Sequence, residues 1–276
     1  MTQPIIISIE GNIGAGKTTI VEKLQNKYID NNKIVFLKEP VGIWESISNN
    51  NGTTILEKFY ENPSKYSFAF QVMAFATRSS TIKNAIKQNP KCEIIICERS
   101  LEADNNIFAK MLKDDKKMED VEYKIYELFY NNCKDDINLN GVIYIDSSPD
   151  VCLQRINKRN RNGENDIAFE YLQKCQEYHD NWLVNKEKNN FPVIRIDTNE
   201  DVLYDENDPN DKGILWIKSI ITFIDEINNS KQISPNKKLS LIHPNNFDKT
   251  SNKNIDENEL PDTPYPTISR LSSQSM

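Results

Sequence analysis

Residues 5–18 read IIISIEGNIGAGKT, an apolar run that leads directly into a glycine-rich loop. The loop fits the pattern G-x-x-x-x-G-K-[ST] of a phosphate-binding P-loop, placed between a predicted strand and a predicted helix. Its glycines allow backbone N–H groups to curve around an anion, and the helix, predicted over residues 18–31, points its positive end at that anion. The stretch therefore predicts that the chain binds a nucleoside triphosphate; a glycine-rich turn without a ligand is the alternative.

The same motif assigns individual roles at the predicted triphosphate site. Lys17 is expected to reach the β- and γ-phosphates of ATP, and the Thr18 hydroxyl is expected to bind Mg²⁺. The residues predicted to surround the phosphate donor are Gly11, Asn12, Ile13, Gly14, Ala15, Gly16, Lys17, Thr18 and Thr19.

Short apolar runs alternate with helical patterns along the chain. They are rich in β-branched residues and lie at residues 5–9, 34–37, 94–97, 142–145 and 193–196. Parallel strands covered by helices on both faces have this composition. The pattern predicts a doubly wound α/β fold with a five-stranded parallel sheet, of the P-loop kinase type. Helices are expected to begin at Pro63-Ser64, ending near Gln88, and at Ser148-Pro149.

Composition limits the classes of function. The chain has 276 residues and a net charge of −7, which argues against a nucleic-acid partner. No stretch approaches the roughly 20 apolar residues of a membrane span, and the start of the sequence lacks a leader pattern, so we expect a cytoplasmic protein without a membrane partner. The five cysteines contain no C-x-x-C pair and are expected to be reduced thiols. Residues 1–228 are predicted to form the kinase-type domain, and the Asn-, Ser-, Lys- and Pro-rich residues 229–276 a disordered tail.

Charged residues follow the predicted strands, where sites of open parallel sheets form. Glu98 follows the third apolar run and is a candidate ligand for Mg²⁺. Arg99, beside it, is expected to neutralise a transferring phosphoryl group. Glu39, after the second run, is the candidate general base that accepts a proton from an acceptor hydroxyl.

Three arginines form the pattern R-x-x-x-R-x-R at Arg155, Arg159 and Arg161. Guanidinium groups stabilise the charge that spreads over a phosphoryl group during transfer. The pattern predicts a mobile arginine lid over the triphosphate, although a solvated helix face would have the same composition.

The predicted helix after Ser64 carries Gln71, Ala74, Phe75 and Arg78 on one face. Gln71 is able to bond bidentately to the edge of a base. Asp104 is placed to pair with Arg78 and orient it. An amphipathic helix with one buried amide is the alternative.

Six motifs in order, GNIGAGKT, EPVGIW, ILEKFYENPSKYSFAFQ, ERS followed by Asp104, RINKRNRNGE and YLQKCQEYHDNWL, resemble those of the deoxynucleoside kinase family. The resemblance covers about residues 5–225. It implies an ATP-dependent, Mg²⁺-requiring enzyme that phosphorylates the 5′-hydroxyl of a deoxynucleoside, and it implies a homodimer.

Residue by residue, the resemblance implies the following roles. Glu39 is the general base, with Arg99 near it and the phosphoryl group, and Lys17, Thr18 and Glu98 lie on the donor and magnesium side. Tyr60 and Glu164 hold the 3′-hydroxyl of the sugar, and Gln71 reads the base. Further residues of the resemblance are Trp44 and Phe75 near the base, Arg159 and Arg161 in the lid, and Glu200, Asp201 and Val202 in a loop beside adenine.

Substrate choice is expected to depend on Ala74, Arg78 and Asp104. A charged pair suits an exocyclic amino group or a purine edge better than the thymine methyl, so deoxyadenosine, deoxyguanosine and deoxycytidine are predicted above thymidine. The lid departs from the family at Gly163-Glu164, where the first of two acids is missing. The alternatives are a thymidylate-like nucleoside monophosphate kinase and a non-catalytic nucleotide-binding scaffold.

Overall fold

The structure, a computed structural model, describes residues 3–161, 164, 167–184 and 189–232. Within these ranges, five parallel strands form one sheet in the order β2-β3-β1-β4-β5. The strands are β1 (Ile5–Gly11), β2 (Ile34–Leu37), β3 (Ile94–Glu98), β4 (Leu139–Asp146) and β5 (Val193–Asp197). All five predicted strands are present, and the predicted doubly wound α/β fold is confirmed.

Helices cover both faces of the sheet. They are α1 (Lys17–Lys27), α2 (Val41–Ser46), α3 (Ile55–Glu61), α4 (Pro63–Gln88), α5 (Leu101–Ala103), a π-helical stretch (Asp104–Ala109), α6 (Lys110–Asp114), α7 (Asp120–Cys133), α8 (Pro149–Arg159), α9 (Phe169–Leu183) and α10 (Lys212–Gln232).

The central strand β1 is buried along its whole length. On one face, Ile5, Ile7 and Ile9 pack with side chains of α1, α8 and α10. On the other face, Ile6 packs with side chains of α4, α5 and α7. The strand order reverses at β1, with β3 and β2 on one side and β4 and β5 on the other. A ligand crevice forms beyond the carboxyl ends of the strands at such a reversal.

The P-loop joins β1 to α1 through glycines with positive φ. Gly11 has φ +149°, and a Cβ there would lie 2.3 Å from the carbonyl oxygen of Ile145 in β4. Gly16 has φ +97° and directly precedes α1. The helix ends at Lys27, earlier than predicted, because Asn31 and its neighbours form turns in which the Asn31 side chain accepts from the N–H of Lys33.

Caps define the two other predicted helix starts, which are confirmed. The Asn62 side chain accepts from the N–H of Lys65, and Pro63 opens α4. The Ser148 hydroxyl accepts from the N–H of Val151 at 3.3 Å, and Pro149 opens α8. These caps satisfy N–H groups that have no partner inside the helix.

The last described helix extends past the predicted domain boundary. Helix α10 continues to Gln232, so residues 229–232 are helical and the tail was predicted to begin too early. The helix continues because Ile224 and Ile227 are buried against the sheet, and the Ser230 hydroxyl donates to the carbonyl oxygen of Ile227. The rest of the predicted tail, residues 233–276, lies outside the described residues.

The structure also bears on membrane spans and on the state of the cysteines. None of the helices in the described ranges combines the length and the apolar character that crossing a membrane requires. The cysteines are unpaired thiols, as predicted, at Cys92, Cys97, Cys133, Cys152 and Cys175.

Because β1 approaches β4 closely at Gly11, a methyl group at this position should destabilise the fold. Gly11→Ala should lower the free energy of unfolding by more than about 1 kcal/mol, because the new Cβ meets the carbonyl of Ile145. Gly42→Ala in α2 is the matched control, since its Cβ meets no atom within 4 Å. Thermal unfolding followed by circular dichroism should show a lower Tm for the first variant only; equal Tm values would contradict the expectation.

Candidate active site

A cavity of about 720 Å³ lies at the carboxyl edge of the sheet, where the reversal of the strand order at β1 predicts a ligand crevice. One part of its wall is the P-loop, from Ile13, Gly14, Ala15 and Gly16 to Lys17, Thr18 and Thr19. The other predicted residues that line it are Glu39, Trp44, Tyr60, Gln71, Arg78, Glu98, Arg99, Asp104, Arg159, Arg161, Glu164, Glu200, Asp201 and Val202.

Lys17 is buried at the P-loop end of the cavity. Its Nζ donates to the carbonyl oxygens of Asn12 at 2.8 Å and of Gly11 at 3.2 Å. Burial and then the positive charge of Arg99 lower the pKa of Lys17 to about 8. An anion beside Lys17 would favour its protonated form, because opposite charges stabilise each other.

Two residues of the predicted donor site support the P-loop from behind instead of lining the cavity. Gly11 packs against β4, as described above. The Asn12 side chain donates to the carbonyl oxygen of Leu172 in α9 at 2.8 Å and accepts from the N–H of Ile13. The carboxamide of Asn12 therefore does not line the cavity, because it satisfies a long-range contact with α9.

Thr18 and Glu98 meet although they come from different elements. The Thr18 hydroxyl at the start of α1 donates to Oε1 of Glu98 at the end of β3, at 2.8 Å. β3 lies directly beside β1 in the sheet, which brings the end of β3 next to the P-loop. Oxygen atoms of this kind are the ligands that Mg²⁺ prefers.

Four of the charged residues that line the cavity form one network. Arg78 of α4 donates to Oδ2 of Asp104 at 2.9 Å and to Oε1 of Glu39 at 3.1 Å. Nε of Arg99 lies 3.3 Å from the same Glu39 oxygen. The predicted pairing of Arg78 with Asp104 is therefore confirmed, and it extends to Glu39.

The network keeps Glu39 charged. Burial raises the pKa of the Glu39 carboxyl, but the positive charges of Arg99, Arg78 and Lys17 outweigh it and leave the pKa below its ordinary value. Glu39 is therefore a carboxylate at neutral pH. A carboxylate is the form that accepts a proton.

Arg99 has an unusual backbone and an unsatisfied side-chain atom. Its φ is +65°, and its N–H donates to the carbonyl oxygen of Ile9 at 3.1 Å. The guanidinium carbon lies 4.6 Å from the centroid of the Phe108 ring. Nη1 is buried without a hydrogen-bond partner in the described ranges. Buried donors are normally paired, so this atom is available for an anionic ligand.

Aromatic rings and one amide form the opposite wall. The Phe70 ring packs edge-on against Trp44 at 5.5 Å and is stacked with Phe59 at 4.6 Å. Gln71 is 2 % exposed, and its Oε1 has no hydrogen-bond partner among the described residues. Aromatic rings beside one unpaired amide oxygen suit a planar ligand that carries a polar edge.

Phe75 is a correction to the predicted site. It does not line the cavity but packs behind α4 against Tyr126, with ring centroids 5.9 Å apart. Gln71, Ala74 and Arg78 do line it. Phe75 lies at the border of their shared helical face, where helical spacing alone does not decide which neighbour the ring meets.

The lid arginines converge on one carboxylate. Arg159 pairs with Oε2 of Glu164, and Nη1 of Arg161 lies 3.2 Å from Oε1 of the same residue. Glu164 is buried, whereas both arginines are partly exposed. Gly163, where the lid departs from the family pattern, lies outside the described residues.

Arg155 belongs to the motif that predicts the arginine lid, but the contacts of its Nη2 lie in the loop after β5. It lines the cavity, and its Nη2 donates to the carbonyl oxygens of Thr198 at 2.9 Å and Glu200 at 3.2 Å. Arg155 therefore ties α8 to the loop that was predicted to lie beside adenine. Phe59, Phe70 and Phe108 also line the cavity without having been assigned to the site; clustered aromatics near Gln71 are a sequence signal for the first two.

Comparison with known proteins identifies the family of the chain. A family model described as deoxynucleoside kinase matches residues 7–222. The chain is 36 % identical over 225 residues to a probable deoxycytidine kinase of fowlpox virus, covering 80 % of this chain and 88 % of that protein. It is 34 % identical over 222 residues to human deoxycytidine kinase, covering 71 % and 84 %. It is 27 % identical over 221 residues to the mitochondrial deoxyguanosine kinase of Xenopus laevis, covering 71 % and 82 %. The chain belongs to the deoxynucleoside kinase family.

Proposed function

We propose that this enzyme transfers the terminal phosphate of ATP, with Mg²⁺, to the 5′-hydroxyl of a deoxynucleoside in nucleotide salvage. The family implies a nucleotide as phosphate donor. The observation that carries the proposal is that an ionised Glu39 and the P-loop Lys17 line one cavity. A base for an alcohol and a cradle for a triphosphate are then within the same site.

The residues at the P-loop end fit a triphosphate and a magnesium ion. Lys17 and the unpartnered Nη1 of Arg99 are buried cationic donors. Thr18 and Glu98 supply neighbouring oxygens. Mg²⁺ is often held by one or two protein oxygens together with phosphates and water, and when bound it neutralises charge on the transferring phosphoryl group.

The chain's own residues divide the work of transfer. Glu39 takes the proton of the 5′-hydroxyl as that oxygen attacks phosphorus. Arg99 and Lys17 stabilise the negative charge on the phosphoryl oxygens. Arg159 and Arg161, now paired with Glu164, supply further positive charge when the lid closes.

At the acceptor end, we assign Tyr60 and Glu164 to the sugar 3′-hydroxyl and Gln71 to the edge of the base. Tyr60 and Glu164 both line the cavity. Burial and then the negative charge of Glu164 raise the pKa of the Tyr60 hydroxyl. Trp44 belongs to the aromatic wall against the base.

Base preference follows from the charged pair beyond Gln71. The Arg78–Asp104 ion pair is almost completely buried. Fixed donors and acceptors discriminate strongly between polar groups, because a mismatched ligand leaves buried charges unpaired. We therefore propose that deoxycytidine, deoxyadenosine and deoxyguanosine are preferred over thymidine.

The two alternatives have weaker support. A nucleoside monophosphate kinase would need free cations for the acceptor's phosphate, whereas Arg78, Arg159 and Arg161 are all paired with carboxylates. A non-catalytic scaffold does not need an ionised Glu39 beside the P-loop. The cytoplasm remains our proposed location, since the free thiols fit a reducing compartment.

A homodimer is supported by an apolar stripe on α7. Val121, Ile125, Leu128 and Phe129 are 58 %, 39 %, 64 % and 46 % exposed. Their spacing places them on one face of the helix, and Phe129 borders a groove shared with α4. Exposed apolar stripes of this kind mark interaction surfaces, and we propose a second copy of the chain as the occupant.

The proposed reaction is tested with Glu39→Gln in an ADP-release assay on four deoxynucleosides and their monophosphates. Turnover should fall on the order of 100- to 10,000-fold because the proton acceptor is lost, while nucleoside binding by calorimetry stays nearly unchanged. Since the pKa of Glu39 is lowered, the loss of wild-type turnover that comes from protonating Glu39 should appear only at acid pH.

Glu45→Gln, at an exposed site in α2, is the matched control and should keep wild-type turnover. Unchanged turnover in Glu39→Gln would exclude the assigned base. Release of ADP with monophosphates alone would favour the rival kinase class.

Base preference is tested with the double variant Arg78→Met/Asp104→Ala. Removing both charges avoids leaving one buried ion unpaired. The ratio of kcat/KM for thymidine to that for deoxycytidine should rise by about 10-fold or more, measured by the same assay. A ratio equal to that of the wild type would mean that the pair does not read the base.

Oligomeric state is tested by sedimentation velocity on Leu128→Glu. The wild type should sediment as a dimer and this variant as a monomer, because a charge is placed in the proposed contact. Ile29→Glu, at a residue that is 77 % exposed, should leave the dimer intact. A monomeric wild type at micromolar concentration would contradict the proposal.

A further inference from the structure

Glu10 is a carboxyl group in an unusual place that the proposed mechanism does not use. It lies in β1, the middle strand of the sheet, and is fully buried. Central parallel strands are normally apolar on both faces, and acidic residues are rarely fully buried without a partner. Its burial therefore calls for an account in terms of its contacts.

The contacts of Glu10 lead to the nucleoside side of the cavity. Oε1 of Glu10 accepts from the hydroxyl of Ser100 at 2.7 Å. The same hydroxyl accepts from the N–H of Ala103 at 3.1 Å, which caps α5. The π-helical stretch follows α5 directly and begins with Asp104, the partner of Arg78. One hydroxyl thus links Glu10 to the turn that carries Asp104.

The same contact stabilises the backbone of Arg99. A residue with φ of +65° that is not glycine persists only where its surroundings hold it. Consecutive residues of β1 do this here, since Ile9 accepts from the N–H of Arg99 and Glu10 accepts from Ser100. Burial raises the pKa of Glu10 to about 6, and the positive charge of Arg99 and the hydrogen bond from Ser100 limit the rise.

We propose that Glu10 is a positioning residue for nucleoside recognition. Through Ser100 it holds residues 99–104 so that Arg99 faces Glu39 and Asp104 faces Arg78. The proposal rests on the proposed function, because it assigns the effect of Glu10 to the reading of the base and sugar. It gives a role to a side chain that does not line the cavity.

The test compares Glu10→Gln and Ser100→Ala in steady-state kinetics with deoxycytidine, thymidine and ATP. Each variant should raise the nucleoside KM on the order of 10-fold and reduce the preference for deoxycytidine over thymidine, because small displacements at a site are costly. The KM for ATP should rise clearly less than the nucleoside KM, since Lys17 and the P-loop keep their own contacts even where Arg99 shifts. None of these quantities depends on the folded fraction of the sample.

The double variant Glu10→Gln/Ser100→Ala should have a nucleoside KM no higher than that of the more strongly affected single variant, because both residues act through the same contact. Ile82→Val, in the core cluster that contains Ile6 of β1 and Leu101 of α5, is the control and should lower Tm without changing either KM. If Glu10→Gln does not fold, Ser100→Ala carries the test alone, since it removes the link and keeps the carboxyl.

A wild-type nucleoside KM and base preference in Ser100→Ala would overturn the proposal. An equal rise in the KM for ATP, or additive effects in the double variant, would also overturn it. If the wild-type enzyme phosphorylates no deoxynucleoside, the proposed function itself fails, and this inference fails with it.

Discussion

The constraint on which the site depends is charge compensation at the carboxyl edge of the sheet. Arg78, Arg99 and Lys17 are nearly inaccessible to solvent, and an isolated charge in such a place would be strongly unfavourable. Each is therefore surrounded by acids or carbonyls: Asp104 and Glu39 bond to Arg78, Glu39 also faces Arg99, and backbone oxygens accept from Lys17. These contacts join the segments that follow β2 and β3 to α4 and the π-helical stretch, so the groups that would act on a phosphate also hold these elements together.

The topology explains why these groups meet at all. All strands are parallel, so every strand end contributes its following loop to the same edge. β1 ends in the P-loop, β2 is followed by Glu39, and β3 ends at Glu98 with Arg99 next to it. Ile5, Ile7 and Ile9 of β1 are buried on one face of the sheet and Ile6 on the other. This packing holds the end of β1, and with it the P-loop, in place. Apolar packing of the sheet thus positions polar residues that are remote from one another in the chain.

Much of this arrangement could be predicted from sequence because it depends on local patterns. The apolar runs, the P-loop and the caps at Asn62 and Ser148 are local, and Glu39, Glu98 and Arg99 follow from their positions after strands. Long-range contacts could not be predicted: the Asn12 carboxamide bonds to α9, and Phe75 meets Tyr126 instead of the cavity. Phe108 lies in a π-helical stretch, where the spacing of side chains differs from that of an α-helix. Glu10 directly follows the first apolar run, and nothing nearby in sequence identifies Ser100 as its partner.

The pairing of Arg159 and Arg161 with Glu164 has a consequence for selectivity among anions. A small inorganic anion such as sulfate would have to break two ion pairs to bind the lid, and it would gain no contact with an aromatic wall or a base-reading amide. In the proposed function a nucleotide would make those additional contacts, and an acceptor sugar would offer Glu164 a new partner. In the proposed function Glu164 would therefore compete with incoming anions for Arg159 and Arg161, which would favour ligands that also contact the aromatic wall over small inorganic anions.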